Sequence, residues 1–165
     1  MTRLLLFLAL PLFILDQFTK WLVLQNISVD DVVTVIPDFF FLVQAHNTGA
    51  AFSLLENNNR FFIGLSVVAL IVVTVLIRRG MFADRWMSLG VTLLLSGVCG
   101  NLVDRVLHGH VIDFLLVNLH VWPANPWPVF NVADSCICTA AGIFVLRSFF
   151  EPKNESPEQV APRVS

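Results

Sequence analysis

Four apolar runs, at residues 4–24, 61–77, 86–106 and 132–150, constrain this chain more than any other feature of its sequence. Each is long enough to cross a hydrocarbon core about 30 Å thick at about 1.5 Å of rise per helical residue. The bilayer offers no water to the backbone, so such a run must close its own hydrogen bonds as a helix. The run at 61–77 is the shortest and gains length from Arg78 and Arg79, whose charged heads can reach the surface. Hydrophobic residues make up 56% of the 165 and charged residues 13%, which is about half the charged share of an ordinary soluble domain. The expected fold class is therefore mainly α and membrane-embedded, with four transmembrane helices in a single domain over residues 1–150. Residues 151–165 are polar, carry Pro152, Pro157 and Pro162, and are expected to form a disordered cytoplasmic tail.

Charge placement gives orientation. The net charge of −2 is too small to suggest nucleic acid. Arg3, Arg78, Arg79, Arg85, Arg147, Lys153 and Arg163 gather at one set of span ends, and only Lys20, Arg60 and Arg105 lie toward the other. Positive residues stay inside, so both termini are expected in the cytoplasm and the connections 25–60 and 107–129 outside. The opening MTRLLLFLALPLFIL imitates a signal peptide, but no small-x-small site follows, and a retained helix is expected. Cys99, Cys136 and Cys138 all fall within spans and read as packing residues.

The first outer connection is patterned. Residues 32–43 are rich in β-branched and aromatic side chains, broken only by Pro37-Asp38, which predicts a small β element between the first two helices. Asn57-Asn58-Asn59 is a polar break that would end a short surface helix around Leu54 and Leu55. The second outer connection places Trp122 and Trp127 among Pro123, Pro126 and Pro128, a composition suited to an irregular segment at headgroup level.

Ionisable residues inside spans cost about 2.5–3.5 kcal/mol each at the bilayer centre, so each requires an account. Asp16, Gln17 and Lys20 lie in the outer part of the first span, and Asp16 and Lys20 are spaced for an intrahelical ion pair. In the third span Asn101, Asp104, Arg105 and His108 are spaced to share a face, where Arg105 could neutralise a neighbouring carboxylate. Gly97 and Gly100 would let another helix approach closely. Asp113 stands in an apolar run, between Val111-Ile112 and Phe114-Leu115, as a turn residue or as a carboxyl whose proton is retained by desolvation. Asn131 and Asp134 open the fourth span, where Asn131 is a good N-cap and the helix dipole stabilises an Asp in the first turn. Asp113 and Asp134 bracket the same outer connection, so both can reach one site at the mouth of the bundle.

Other chemistries fit less well. His108, His110 and His120 could suggest zinc, but no HExxH pattern accompanies them, and no metal or other cofactor is expected. A Ser/Lys hydrolase would need a serine near Lys20, and nothing ties Ser53 to it. A transporter would place its polar residues near the midplane, whereas these lie in the outer third. A non-catalytic membrane carrier or assembly factor, whose polar residues only stabilise the bundle, stays as the alternative.

Five motifs in order, DQFTK (16–20), NTGAAFS (47–53), GNLVDR (100–105), VIDF (111–114) and FNVADS (130–135), resemble those of the signal peptidase II family, membrane-embedded aspartic peptidases. The resemblance spans all but the tail and the segment 115–129. It implies a catalytic pair, Asp113 and Asp134, with Asp16, Asn47, Asn101, Arg105 and Asn131 binding and shaping around it. It further implies a bacterial inner-membrane enzyme that cuts prolipoproteins just before a diacylglyceryl-modified cysteine and is blocked by globomycin. Lipidated precursors and membrane lipid are then the partners of a monomeric protein, and residues 32–43 form part of a cradle over the membrane surface. Physics supports such a pair. Two carboxylates about 3 Å apart at an effective dielectric near 20 repel by roughly 5–6 kcal/mol if both are charged, so they hold one proton between them.

Overall fold

The computed structural model describes residues 2–49, 58–82, 84–121 and 126–150. The expectations for Leu54 and Leu55, for Ser53, for Trp122 and for the tail at 151–165 lie outside the described residues. Four helices are long and apolar enough to cross a membrane. The first is continuous but not uniform: α1 (Thr2–Leu4) passes through a π-helical stretch, Leu5–Ala9, into α2 (Leu10–Asn26). Pro11 explains the widened turn, since proline supplies no N–H and its ring crowds the carbonyl one turn earlier. The other three are α3 (Asn59–Arg78), α4 (Arg85–Leu107) and α5 (Val132–Phe150). All four expected spans are therefore helices, three of them a residue or two longer at each end than their apolar runs.

α4 is the central post, packed against α5, α3 and α2. Its glycines make this possible. A Cβ at Gly100 would stand 2.5 Å from Asp16 Oδ2 and 3.1 Å from Ala133 Cβ, and one at Gly97 would strike the Ala133 carbonyl and Ile137. The close approach expected at Gly97 and Gly100 is thus between α4 and both α5 and α2. At the opposite end of the helix, Asp84 caps α4 by accepting the Trp86 and Met87 N–H groups, each at 3.1 Å, and takes Arg147 Nε of α5 at 3.2 Å.

A three-stranded antiparallel sheet in the order β1-β2-β3 sits at the other end: β1 (Val32–Ile36), β2 (Phe40–Asn47) and β3 (Val111–Val117). The expected β element at 32–43 is its first hairpin. Phe39 N donates to Ile36 O at 3.1 Å, and Asp38 takes φ 60° with Pro37 before it, the geometry of a type II turn. The third strand has no alternating signal to reveal it, because Val111, Ile112, Asp113 and Phe114 are buried in succession. Val23, Ile27 and Phe114, joined by Leu42, Leu115 and Val132, fasten the sheet to the ends of α2 and α5.

The described residues on either side of 122–125 are tied together by backbone hydrogen bonds. Leu115 and Phe130 form an isolated bridge, with Leu115 N to Phe130 O at 2.8 Å and the return bond at 3.1 Å, and Trp127 N reaches Val117 O at 2.9 Å. This bridge sets the first turn of α5 beside β3.

Candidate active site

Asp113 lies mid-strand on β3 and Asp134 in the first turn of α5, and three asparagine amides bind them into one network. Asp113 Oδ1 accepts from Asn131 Nδ2 at 2.7 Å, and Oδ2 from Asn47 Nδ2 at 2.9 Å. Asp134 Oδ1 accepts from Asn101 Nδ2 at 2.7 Å, and Oδ2 from the Asn131 backbone N–H at 3.2 Å. Asn131 Oδ1 in turn accepts the Asp134 N–H at 2.8 Å. Asn131 and Asp134 therefore cap α5 reciprocally, so the structural role foreseen for them is real. It coexists with a position in the carboxylate network.

Every amide in this network has its polarity set by a partner on its oxygen. Asn47 Oδ1 accepts the Gly49 N–H at 3.0 Å, and Asn101 Oδ1 accepts Lys20 Nζ at 3.0 Å and Asn131 Nδ2 at 3.1 Å. Each NH2 group is left facing a carboxylate. Burial, and after it the charge of Asp134, pushes the Asp113 carboxyl from its ordinary 3.8 up to about 7, against the pull of the Asn47 and Asn131 amides.

A second polar layer backs the first. Lys20 pairs with Asp16 at 2.8 Å, as the spacing predicted, and also with Asp104 of α4 at 2.7 Å. Asp16 Oδ1 accepts the Ala133 N–H at 2.8 Å, and Asp104 Oδ2 the Ile112 N–H at 3.2 Å. Gln17 Nε2 lies 3.1 Å from both Asp16 Oδ2 and Asp104 Oδ1. Gln17, Lys20 and Asp104 thus join the polar site, and the sequence carries a signal for this, since charges at one depth in two spans are best buried as partners.

A cavity of about 220 Å³ opens beside the network, lined among others by Asn47, Asn101, Arg105 and Asp134, with Phe62, Ser66, Val98 and Ile137 as its less polar wall. Asp16, Asp113 and Asn131 are not in this lining; their polar atoms are engaged within the network. Nothing in the sequence marked the apolar wall, which consists of ordinary span residues. Arg105 donates to Gly49 O at 3.1 Å and lies 5.0 Å from the Phe62 ring centroid, and its buried Nε has no hydrogen-bond partner among the described residues. No direct ion pair joins Arg105 to a carboxylate among the described residues, but its charge is favoured at longer range by Asp134, Asp113 and Asp104.

The histidines lie elsewhere. His108 is the exposed C-cap of α4 and leaves the buried face its spacing suggested. His110 stacks on His46 with centroids 4.1 Å apart, and burial, then the neighbouring His46 and His108, hold it below the ordinary histidine value. His120 sits beside Asn118. Among the described residues, no group of three His, Cys, Asp or Glu side chains is close enough to hold a metal ion.

Comparison with known proteins bears on the whole chain. The family profile described as Signal peptidase (SPase) II matches residues 8–150. The Lipoprotein signal peptidase of Neisseria meningitidis is 38% identical over 151 residues, covering 90% of each chain. That of Halalkalibacterium halodurans is 32% identical over 153 residues, covering 93% of this chain and 96% of its own. A bacterial membrane enzyme solved by the in meso method at 2.3 Å resolution superposes with a TM-score of 0.83 at 27% identity, over 95% of this chain and 94% of that one. A second, solved at 1.9 Å, gives 0.79 at 28% identity, over 90% and 94%. Four membrane helices, a small antiparallel sheet and two carboxylates in one amide network are carried by a chain that belongs to the signal peptidase II family, membrane-embedded aspartic peptidases.

Proposed function

We infer that this protein removes signal peptides from prolipoproteins, with Asp113 and Asp134 as the catalytic pair that activates water. The observation that carries the reading is the amide network, in which Asn131 donates to both a strand carboxyl, Asp113, and a helix carboxyl, Asp134, the latter lining the cavity. The ionised form is better supported at Asp134, where two N–H donors and the α5 N-terminus favour negative charge. The protonated form is better supported at Asp113, whose carboxyl is pushed well above the ordinary carboxylate range by burial and then by the charge of Asp134. The pair titrates as a unit. Asp134 takes a proton from water, the resulting hydroxide attacks the scissile carbonyl, and Asp113 gives its proton to the departing amine. Hydrolysis of one bond leaves the pair with one proton, as it began.

Arg105 has donor capacity to spare, its Nε being unpartnered, and it faces the cavity with Asn47 and Asn101. These groups orient the backbone and headgroup oxygens of the substrate, with Arg105 the strongest donor. Asp16 and Asn131 serve the same site from behind. The substrate carries a diacylglyceryl group on the cysteine that follows the cut. Each buried methylene contributes about 0.8 kcal/mol, so two acyl chains hold the neighbouring bond at a set depth. The enzyme is a monomer in the bacterial inner membrane, with residues 1–150 as one peptidase domain, both termini cytoplasmic and the site near the outer face; globomycin-like inhibitors occupy the cavity.

Purified protein is to be given one precursor with and without the diacylglyceryl group. Faster cleavage of the lipidated form just before its cysteine supports the reading. Equal rates would point to a protease that recognises peptide alone, and no cleavage of either would return the carrier reading. Cysteine labelling at Asn47 and Trp122 from outside, and at Arg79 from inside, tests the orientation.

A further inference from the structure

Lys20 has no part in the proton transfers above, yet it is 2% exposed and its three partners match the three N–H bonds of an ammonium. Two of these partners are the carboxylates of Asp16 and Asp104, and the third is Asn101 Oδ1 at 3.0 Å. A primary amide can turn over with almost no change of shape, exchanging its oxygen for its NH2 group. At Asn101 the ammonium opposes this: the turned amide would face Nζ donor to donor and Asp134 Oδ1 acceptor to acceptor. Asn131 Nδ2, at 3.1 Å from the same oxygen, opposes it as well.

We propose that Lys20 is a positioning residue for the peptidase reaction: through Asn101 it keeps an N–H donor on Asp134 Oδ1, so that Asp134 is the ionised member of the pair. The proposal rests on the reading of Asp113 and Asp134 as the catalytic pair. Charged groups surround Asn101 from each element packed there: Lys20 and Asp16 on α2, Asp104 and Arg105 on α4, Asp113 on β3 and Asp134 on α5. Among them only Lys20 donates to Asn101 Oδ1, while Arg105 Nη1 reaches the Asn101 backbone carbonyl at 3.5 Å. Asp16 and Asp104 hold the ammonium in place, and each is itself held by a backbone N–H, from Ala133 and Ile112. The chain of contacts from Asp104 through Lys20 and Asn101 to Asp134 thus runs from one strand's backbone to the reacting oxygen.

A bland role for Lys20, neutralising Asp16 and Asp104 for the sake of the fold, predicts a different pattern of rates. The test is a cycle of Lys20→Met, Asn101→Ala and the double variant, read as single-turnover kcat and as KM on a lipidated precursor. The same cycle is repeated in an Asp104→Asn background, where loss of the ammonium leaves one fewer unpaired carboxylate, with thermal unfolding in detergent as the fold control. Lys20→Met is expected to lower kcat about 100-fold with KM within about threefold. In the Asn101→Ala protein the same change is expected to lower kcat by less than about threefold, because the path is already cut. Equal losses in both proteins, or a rise in KM with kcat unchanged, would overturn the proposal. If Lys20→Met does not fold alone, the Asp104→Asn cycle decides by the same criteria. Turnover by Asp113→Asn or Asp134→Asn would instead remove the catalytic pair itself.

Discussion

α3 and α4 are neighbouring membrane helices of 20 and 23 residues with opposite construction. α3 is apolar nearly throughout, yet Val73 is its only buried residue, and α4 is the one helix it packs on extensively. α4 buries eleven residues, among them Ser88, Thr92, Ser96, Asn101, Asp104 and Arg105. In water this would be inverted. In lipid an apolar side chain gains little by moving from acyl chains to protein, whereas a polar group must find partners or stay unsatisfied. The interior of this protein is therefore where its hydrogen bonds are, and small residues let the helices close around them.

The contrast is sharpest where α4 serves the carboxylates. On the proposed mechanism Asp113→Asn and Asp134→Asn should each reduce cleavage more than about 1,000-fold with the protein still inserted and folded, because each removes a proton-transfer step. Turnover within tenfold of the parent would break the link between the buried polar layer and chemistry. Next in size is Gly100→Leu in α4, which drives a side chain into Asp16 and Ala133; a loss of about 3 kcal/mol or more, or failure to insert, is expected. Arg105→Ala should raise KM about tenfold while moving stability far less, since among the described residues the guanidinium has no contact ion pair to strand.

Asp113 also makes stability depend on pH. Its folded value of about 7 lies above the ordinary 3.8, so the folded protein keeps a proton that the unfolded chain releases near pH 4. Its contribution is complete below about pH 4, declines as pH rises through about 7, and changes no further above that. Unfolding midpoints from pH 4 to 8 should show this slope in the parent and lose it in Asp113→Asn. An unchanged slope would mean that another group holds the proton. The smallest effect belongs to α3: a Cβ at Gly64 meets nothing within 4 Å, so Gly64→Leu should shift stability by no more than about 0.5 kcal/mol. A large loss there would break the contrast between the two helices.

The spans were legible because length and apolarity are a sufficient signal in lipid, and 132–150 matches α5 at both ends. The hairpin was legible from Pro37-Asp38 between β-branched runs. β3 was not, since a strand buried on both faces loses the period of two that identifies it. Asp16 and Lys20 could be paired from their spacing alone, but Asp104 joins them across helices, a register no local pattern encodes. The hydrogen bond from Arg105 to the Gly49 carbonyl was illegible for the same reason: a backbone oxygen on a distant loop leaves no mark in the sequence.

The bond from Ala133 N to Asp16 Oδ1 joins the last membrane helix to the first, 117 residues apart. Synthesis and insertion proceed from the N-terminus, so Asp16 waits in the membrane while most of the chain is made. Until α5 arrives, the nascent chain lacks Asp134 and Asn131, and Asp113 has no partner carboxylate. With Asp113 and Asp134 as the proposed catalytic pair, the protein has no working cutting centre until α5 docks. A ribosome stalled before that point leaves an inert fragment in the bilayer rather than a partly active protease among other proteins' signal sequences.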